Sequence, residues 1–239
     1  MHSYDFRAGE VLLIDKPLTW TSFQVVNKMK YLIKNHPSLL LDGKRIQPKI
    51  GHAGTLDPLA TGLLIVCTGK QTKNIEQYQA QEKEYTGTFY IGATTPCYDL
   101  EKEIDTYYPT EHISEQLIRD MVTQFIGKQQ QTPPLFSAIK IDGKRAYDIA
   151  RAGQTAEIKS KEITISTFEI TRIALPEVDF RVVCSKGTYI RSLARDFGLA
   201  LKSGAHLTAL CRTRIGDHKL GDALTLTEFE RKVKGTPEN

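Results

Sequence analysis

Residues Gly51-His52-Ala53-Gly54-Thr55-Leu56-Asp57-Pro58-Leu59-Ala60-Thr61-Gly62 run directly into the apolar string Leu63-Leu64-Ile65-Val66-Cys67. Three glycines in this stretch let the backbone take positive φ and come close to a ligand. Asp57 precedes a proline, which pushes it away from the α region towards extended geometry. The apolar string is too short to span a membrane and predicts a buried strand. A carboxylate is therefore expected in a stiff loop at the mouth of a core strand, a seat that suits a catalytic acid, base or nucleophile. An Asp-Pro pair also serves simply to start a turn, and residue types alone leave both readings open.

The bulk properties bound the setting. A chain of 239 residues can bury a proper core as one large domain or two small ones. Its apolar and charged fractions, 40% and 25%, are those of an ordinary globular protein. No charged leader with a long apolar segment opens the chain, so neither a signal peptide nor an anchor is expected. Cys67, Cys97, Cys184 and Cys211 are far apart and form no CxxC pair, which argues against a zinc site or disulfide framework and for a reducing cytoplasm.

Charge is segregated although the formal net charge is only +4. Residues 127–154 hold Lys128, Lys140, Lys144, Arg145 and Arg151 against Asp142 and Asp148. Residues 181–216 hold Arg181, Lys186, Arg191, Arg195, Lys202, Arg212 and Arg214 against Asp196 alone. Such concentration suggests a polyanion partner, with phosphate backbones the commonest, and solvated basic loops are the competing reading.

In chain order, Val11–Ile14 predicts a short buried strand ended by Asp15-Lys16-Pro17. Thr21 with Gln24 forms a capping-box pattern, and Phe23, Val26, Met29 and Ile33 recur at helical spacing as a core-facing stripe. Residues 35–48 read as a loop, and residues 72–80 suit a helix. Lys83-Glu84-Tyr85 opens a period-two strand whose first aromatic is, on pattern alone, a core residue. Thr110 is expected to cap a helix with Ile113, Leu117, Met121 and Phe125 on one face and Gly127 at its close. The prolines Pro133-Pro134 forbid continuous helix or central strand in the basic segment that also holds Phe136 and Tyr147. Residues 178–184 predict a strand, turned by Ser185-Lys186-Gly187 into a helix that presents Ile190, Leu193, Ala194 and Phe197 and stops at Gly198. Arg191 and Arg195 lie four apart, off that face, able to reach a common neighbour. Residues 206–214 alternate, with His206, Thr208, Leu210, Arg212 and Arg214 on a polar, basic face.

The string GHAGTLDPLATG resembles the signature of the TruB family of bacterial tRNA pseudouridine synthases. The resemblance extends through DKP at Lys16, a KxY motif at Lys83-Glu84-Tyr85, KGTYIR ending at Arg191 and the strand carrying Leu210. It implies an α+β pseudouridine synthase fold: a mixed, mainly antiparallel sheet with flanking helices, a central active-site cleft and a thumb insertion at about residues 127–154. One catalytic domain over residues 1–239 is expected, without a C-terminal PUA domain. The family likeness implies Asp57 as the catalytic carboxylate, Tyr85 against the target uracil, and Arg191 paired with Asp57. It further implies Tyr189 and Leu210 in the uracil pocket and His52 filling the space that the uridine leaves. Asp99 departs from the family pattern, since Leu100-Glu101-Lys102 replace a commoner glycine three residues on. It is expected to be a loop residue or an RNA contact.

The implied reaction detaches uracil from ribose, rotates it and rejoins it through C5, with no metal or redox cofactor. A base stacked within a loop is out of reach and must be flipped out. An arginine beside Asp57 would hold the carboxylate ionised against the effect of burial. Whether Asp57 attacks ribose C1′ or uracil C6, or acts as a base on ribose, is open at this stage. The expected partner is the tRNA T-stem-loop, bound by a monomer with no membrane and no protein partner. The alternatives are a tRNA-folding chaperone with catalysis secondary, and a synthase acting on ribosomal RNA.

Overall fold

The computed structural model describes residues 4–137, 140–141, 144–145 and 158–235, with backbone alone for 140–141 and 144–145. The chain divides into two compact units, residues 1–84 with 211–239, and residues 85–210. Two strands, Lys83–Ile91 and Ala205–Ile215, have residues in both.

The first unit is built on β1 (Val11–Lys16), β2 (Ile50–His52) and β3 (Ala60–Thr68). β3 is the predicted core strand, extended at both ends and buried at every position but Thr61. β1 pairs with it antiparallel from Val11↔Cys67 to Lys16↔Gly62, and β2 pairs at Gly51↔Cys67 and His52↔Val66. Helix α1 (Ser22–Ile33) starts at a capping box in which Thr21 accepts from Gln24 N, as the local pattern predicts. Its core stripe is Val25, Val26, Met29 and Ile33; Phe23, expected in that stripe, is 67% exposed. Two residues into the helix, Phe23 faces away because Ser22 and Val25 take the buried positions. Residues 35–48 hold a short 3-10 turn and a two-residue hairpin rather than plain loop. Residues 69–80 form a 3-10 turn followed by α2 (Ile75–Ala80).

The second unit contains most of β4 (Lys83–Ile91), then α3 (Glu115–Val122), β5 (Gly127–Gln131), β6 (Lys161–Ala174), β7 (Glu177–Cys184) and α4 (Ile190–Ala200). The strand order runs from β8 (Ala205–Ile215) through β4, β7 and β6 to β5 at the edge. β6 pairs antiparallel with both β7 and β5. Its register shifts between Ile165 and Thr167 and again between Ile170 and Arg172, so its buried side chains do not keep a simple alternation. α3 and α4 cover this sheet through Ile118, Val122, Leu193 and Phe197. The cap of α3 is Ser114, which accepts from Leu117 N, not Thr110; Ile113 and Phe125 are buried as expected but lie outside the helix. α4 continues past Gly198, where a Cβ would stand 2.3 Å from Ala205 N. The chain then enters β8, a hairpin partner β9 (His218–Lys219), and α5 (Leu226–Lys234) in the first unit. The result is a mixed sheet of mostly antiparallel strands with flanking helices. No described helix is long and apolar enough to cross a membrane.

Candidate active site

Asp57 and His52 belong to the first unit; Tyr85, Tyr189, Arg191 and Leu210 belong to the second. In the first unit, the loop carrying Asp57 is fixed from three directions. Ser22 Oγ accepts from Leu56 N at 2.8 Å and donates to Leu56 O at 3.2 Å. Thr19 N donates to Pro58 O at 2.8 Å. Lys16, with no exposed surface, places Nζ on the carbonyls of Pro17 (2.9 Å), Trp20 (2.6 Å) and Pro58 (3.4 Å). Its pKa falls to about 8, chiefly through burial and further through Arg212, while the Asp57 and Asp15 charges oppose the fall. Lys16, which the sequence leaves equally well on the surface, is thus an internal brace with its charge felt at Asp57.

Arg212 is the second brace. It is 1% exposed, donates from Nε to Leu63 O at 2.8 Å and from Nη2 to Gly54 O at 3.2 Å. The polar, basic face expected for β8 is therefore corrected: Arg212 points into the protein, and His206, also 1% exposed, contacts Ala93 O and stacks on Tyr90. Gly62 makes the Arg212 approach possible, because at its φ of 101° a Cβ would meet Arg212 O at 2.4 Å. His52 is half-buried, and its pKa is lowered mainly by burial; a Gly54 backbone hydrogen bond opposes this and the Arg212 charge adds to it. A neutral imidazole results, free of the hydration that a cation would hold.

In the second unit, Arg191 is 5% exposed at the first turn of α4. Its Nη1 donates to Cys97 O at 3.3 Å and Nη2 to Phe136 O at 2.9 Å, while Nε lies 3.4 Å from Asp99 Oδ2. Asp99 is a loop residue, as expected, but a buried one that forms an ion pair with Arg191. Its other oxygen accepts from Glu101 N at 2.9 Å, and Thr95 Oγ1 donates to its carbonyl at 2.7 Å.

Tyr189 is the N-cap of α4, and Gln131 completes it. The Gln131 amide accepts from Tyr189 N at 2.8 Å and donates to Tyr189 O at 3.1 Å. Ser192 Oγ and Arg195 Nη2 both donate to Thr132 O, at 2.9 and 3.1 Å. Arg191 and Arg195 thus reach different residues, Phe136 and Thr132, of one stretch of the expected thumb. The remainder of that flap, with Tyr147 and Arg151, lies outside the described residues, apart from an antiparallel pairing of Lys140–Ile141 with Lys144–Arg145. Tyr85 and Leu210 are partly buried and pack against the core of the second unit. Lys83 of the KxY motif is buried and donates to Gln79 O and Gln81 O, so it braces the end of α2.

In the basic segment 181–216 five of the seven cations have partners within the protein. Arg181, Arg191, Arg195 and Arg214 pair with Glu169, Asp99, Asp196 and Glu82, and Arg212 is internal. Lys186 and Lys202 remain exposed. Gln131 was not singled out from sequence, and the pairing of Asp99 with Arg191 was not foreseen, because their partners lie far along the chain. Arg212 carried a signal only in retrospect, as a cation directly after an apolar alternation.

Comparison with known proteins adds an independent line. A family model described as TruB family pseudouridylate synthase (N terminal domain) matches residues 43–190. A tRNA pseudouridine synthase B of Flavobacterium johnsoniae is 64% identical over 230 residues, covering 96% of this chain and 98% of the relative. One of Phocaeicola vulgatus is 58% identical, covering 94% and 93%. Among solved structures, a Cbf5-Nop10-Gar1 complex matches at TM-score 0.69 and 29% identity, covering 98% of this chain and 58% of that one. An archaeal box H/ACA sRNP Nop10-Cbf5 complex matches at TM-score 0.66 and 27% identity, covering 96% and 55%.

Proposed function

Because the chain belongs to the TruB family of pseudouridylate synthases, we propose that it isomerises the T-loop uridine of tRNA with Asp57 as the reacting carboxylate. The chain is an enzyme of tRNA modification, an isomerase that converts uridine to pseudouridine. The observation that carries the Asp57 assignment is the bracing of its loop. Ser22, Thr19 and Lys16 hold Leu56 and Pro58 on either side of it. Rigid presentation of one carboxylate is what a step requiring aligned reacting atoms needs.

The chemistry breaks the bond between ribose C1′ and uracil N1, turns the base and forms a C1′–C5 bond; the C5 hydrogen leaves as a proton and the freed N1 ends protonated. Asp57 begins ionised, and the buried Lys16 ammonium favours that state. The family likeness supports an Arg191 contact to Asp57, Tyr85 and Leu210 along the uracil, Tyr189 in the same pocket, and His52 replacing the extruded base. A neutral His52 suits stacking within the RNA. Whether Asp57 meets C1′, C6 or a ribose proton first, each route starts from the ionised carboxylate.

The same reading takes residues 1–239 as one catalytic domain with a thumb at about 127–154, working as a monomer on the T-stem-loop in the cytoplasm. Four dispersed cysteines without a CxxC pair support the reducing compartment. The test uses T-stem-loop RNA tritiated at uracil C5, with wild type and Asp57→Asn side by side. Tritium release by wild type alone, with binding kept in the variant, is expected. Release by both overturns the Asp57 assignment, and tight binding without release by either favours a folding role.

A further inference from the structure

One side chain holds both peptide groups of Tyr189. Gln131 ends β5, where it pairs with Lys161 of β6, and it is 3% exposed. Its amide oxygen accepts from Tyr189 N at 2.8 Å and its amide nitrogen donates to Tyr189 O at 3.1 Å, across 58 residues of chain. The partners fix which way the amide points, since a backbone N–H only donates and a carbonyl only accepts. With the peptide groups before and after Tyr189 pinned to one planar group, its φ and ψ are set relative to β5. The direction of its Cα–Cβ bond is set with them.

Capping a helix needs only an oxygen that accepts from the first N–H groups. The bond to Tyr189 O goes beyond that requirement, because this carbonyl already has its helical partner, Leu193 N at 3.0 Å. A side chain that only closed the end of α4 would have no use for it.

We propose that Gln131 is a positioning residue of the isomerisation, which aims the Tyr189 side chain at the uracil. This rests on Tyr189 lining the uracil pocket. Gln131 is buried and acts through Tyr189 alone: it sets the pocket wall against which the base turns, and leaves the bond-making step to other groups. Misplacement of a pocket group by about 1 Å can cost a reaction on the order of 100-fold without weakening the grip on the rest of the substrate.

The test measures single-turnover tritium release and equilibrium binding of T-stem-loop RNA for wild type, Gln131→Glu, Gln131→Met, Tyr189→Leu and the double variant Gln131→Met/Tyr189→Leu. Rates are taken per RNA-binding molecule, so a variant that folds only in part is still read. In Gln131→Glu the carboxylate accepts from Tyr189 N and keeps α4 capped, but it cannot donate to Tyr189 O. Release is expected to slow about tenfold or more in both Gln131 variants, with RNA binding within about twofold of wild type. The double variant is expected to be no slower than Tyr189→Leu, because the two residues act as one unit. Wild-type release by Gln131→Glu assigns Gln131 to capping alone and overturns the proposal. So does a double variant in which the two losses multiply. Wild-type release by Tyr189→Leu is the distinct failure of the pocket reading, and the proposal falls with it; a slow Tyr189→Leu beside a fast Gln131→Glu sinks the proposal alone.

Discussion

Arg191 and Asp99 meet in a buried ion pair, Nε to Oδ2 at 3.4 Å, with side chains 6% and 8% exposed. Removing one charge of such a pair leaves the other uncompensated in a poorly hydrated site. Asp99→Asn is therefore expected to cost about 3–5 kcal/mol in urea unfolding. It also lowers tritium release, because the guanidinium loses one of the groups that orient it. The isosteric amide can still accept from Glu101 N, so the loss reports the charge rather than the turn.

Lys16 makes stability depend on alkaline pH. In the folded state it loses its proton near pH 8, and in the unfolded chain it keeps it up to its ordinary value of 10.5. Between those values the unfolded state binds more protons, so this group's contribution to stability rises with pH, at about 1.4 kcal/mol per unit. Below that window the full penalty of burying the ammonium applies. Unfolding titrations over this range should show the rise in wild type and its absence in Lys16→Met.

Arg212 is expected to behave as a brace and not as a phosphate contact. Arg212→Lys removes the fork that serves Leu63 O and Gly54 O, and the melting midpoint should drop. The slope of log affinity for T-stem-loop RNA against log salt should stay at the wild-type value. Loss of a true phosphate contact would reduce that slope by about 0.9.

Gly62→Ala places a methyl 2.4 Å from Arg212 O at a φ of 101°. The atoms it meets first are the backbone O and N of Arg212, which cannot swing aside, so a destabilisation of about 1–3 kcal/mol is expected in chemical denaturation.

Features governed by neighbours in sequence were legible. The Thr21–Gln24 capping box and the buried strand 60–68 follow from local hydrogen bonding and an unbroken apolar run. Strand 161–174 was not, because two register shifts move its buried positions out of alternation. The motif residues could be named from their family pattern, but their supports could not. Lys16 and Arg212 look like surface cations in a sequence, and only the carbonyls that converge on them show otherwise. Phe23 failed in the opposite direction: an aromatic at helical spacing that the fold turns outward.

Four side chains moor residues 131–136 to α4: Gln131 at Tyr189, Ser192 and Arg195 at Thr132, and Arg191 at Phe136. The last of these moorings is the guanidinium that also grips Asp99. A tug on the chain at Phe136 must therefore snap that bond or swivel Arg191, which makes residues 131–136 a mechanical input to the arginine that closes the KGTYIR motif.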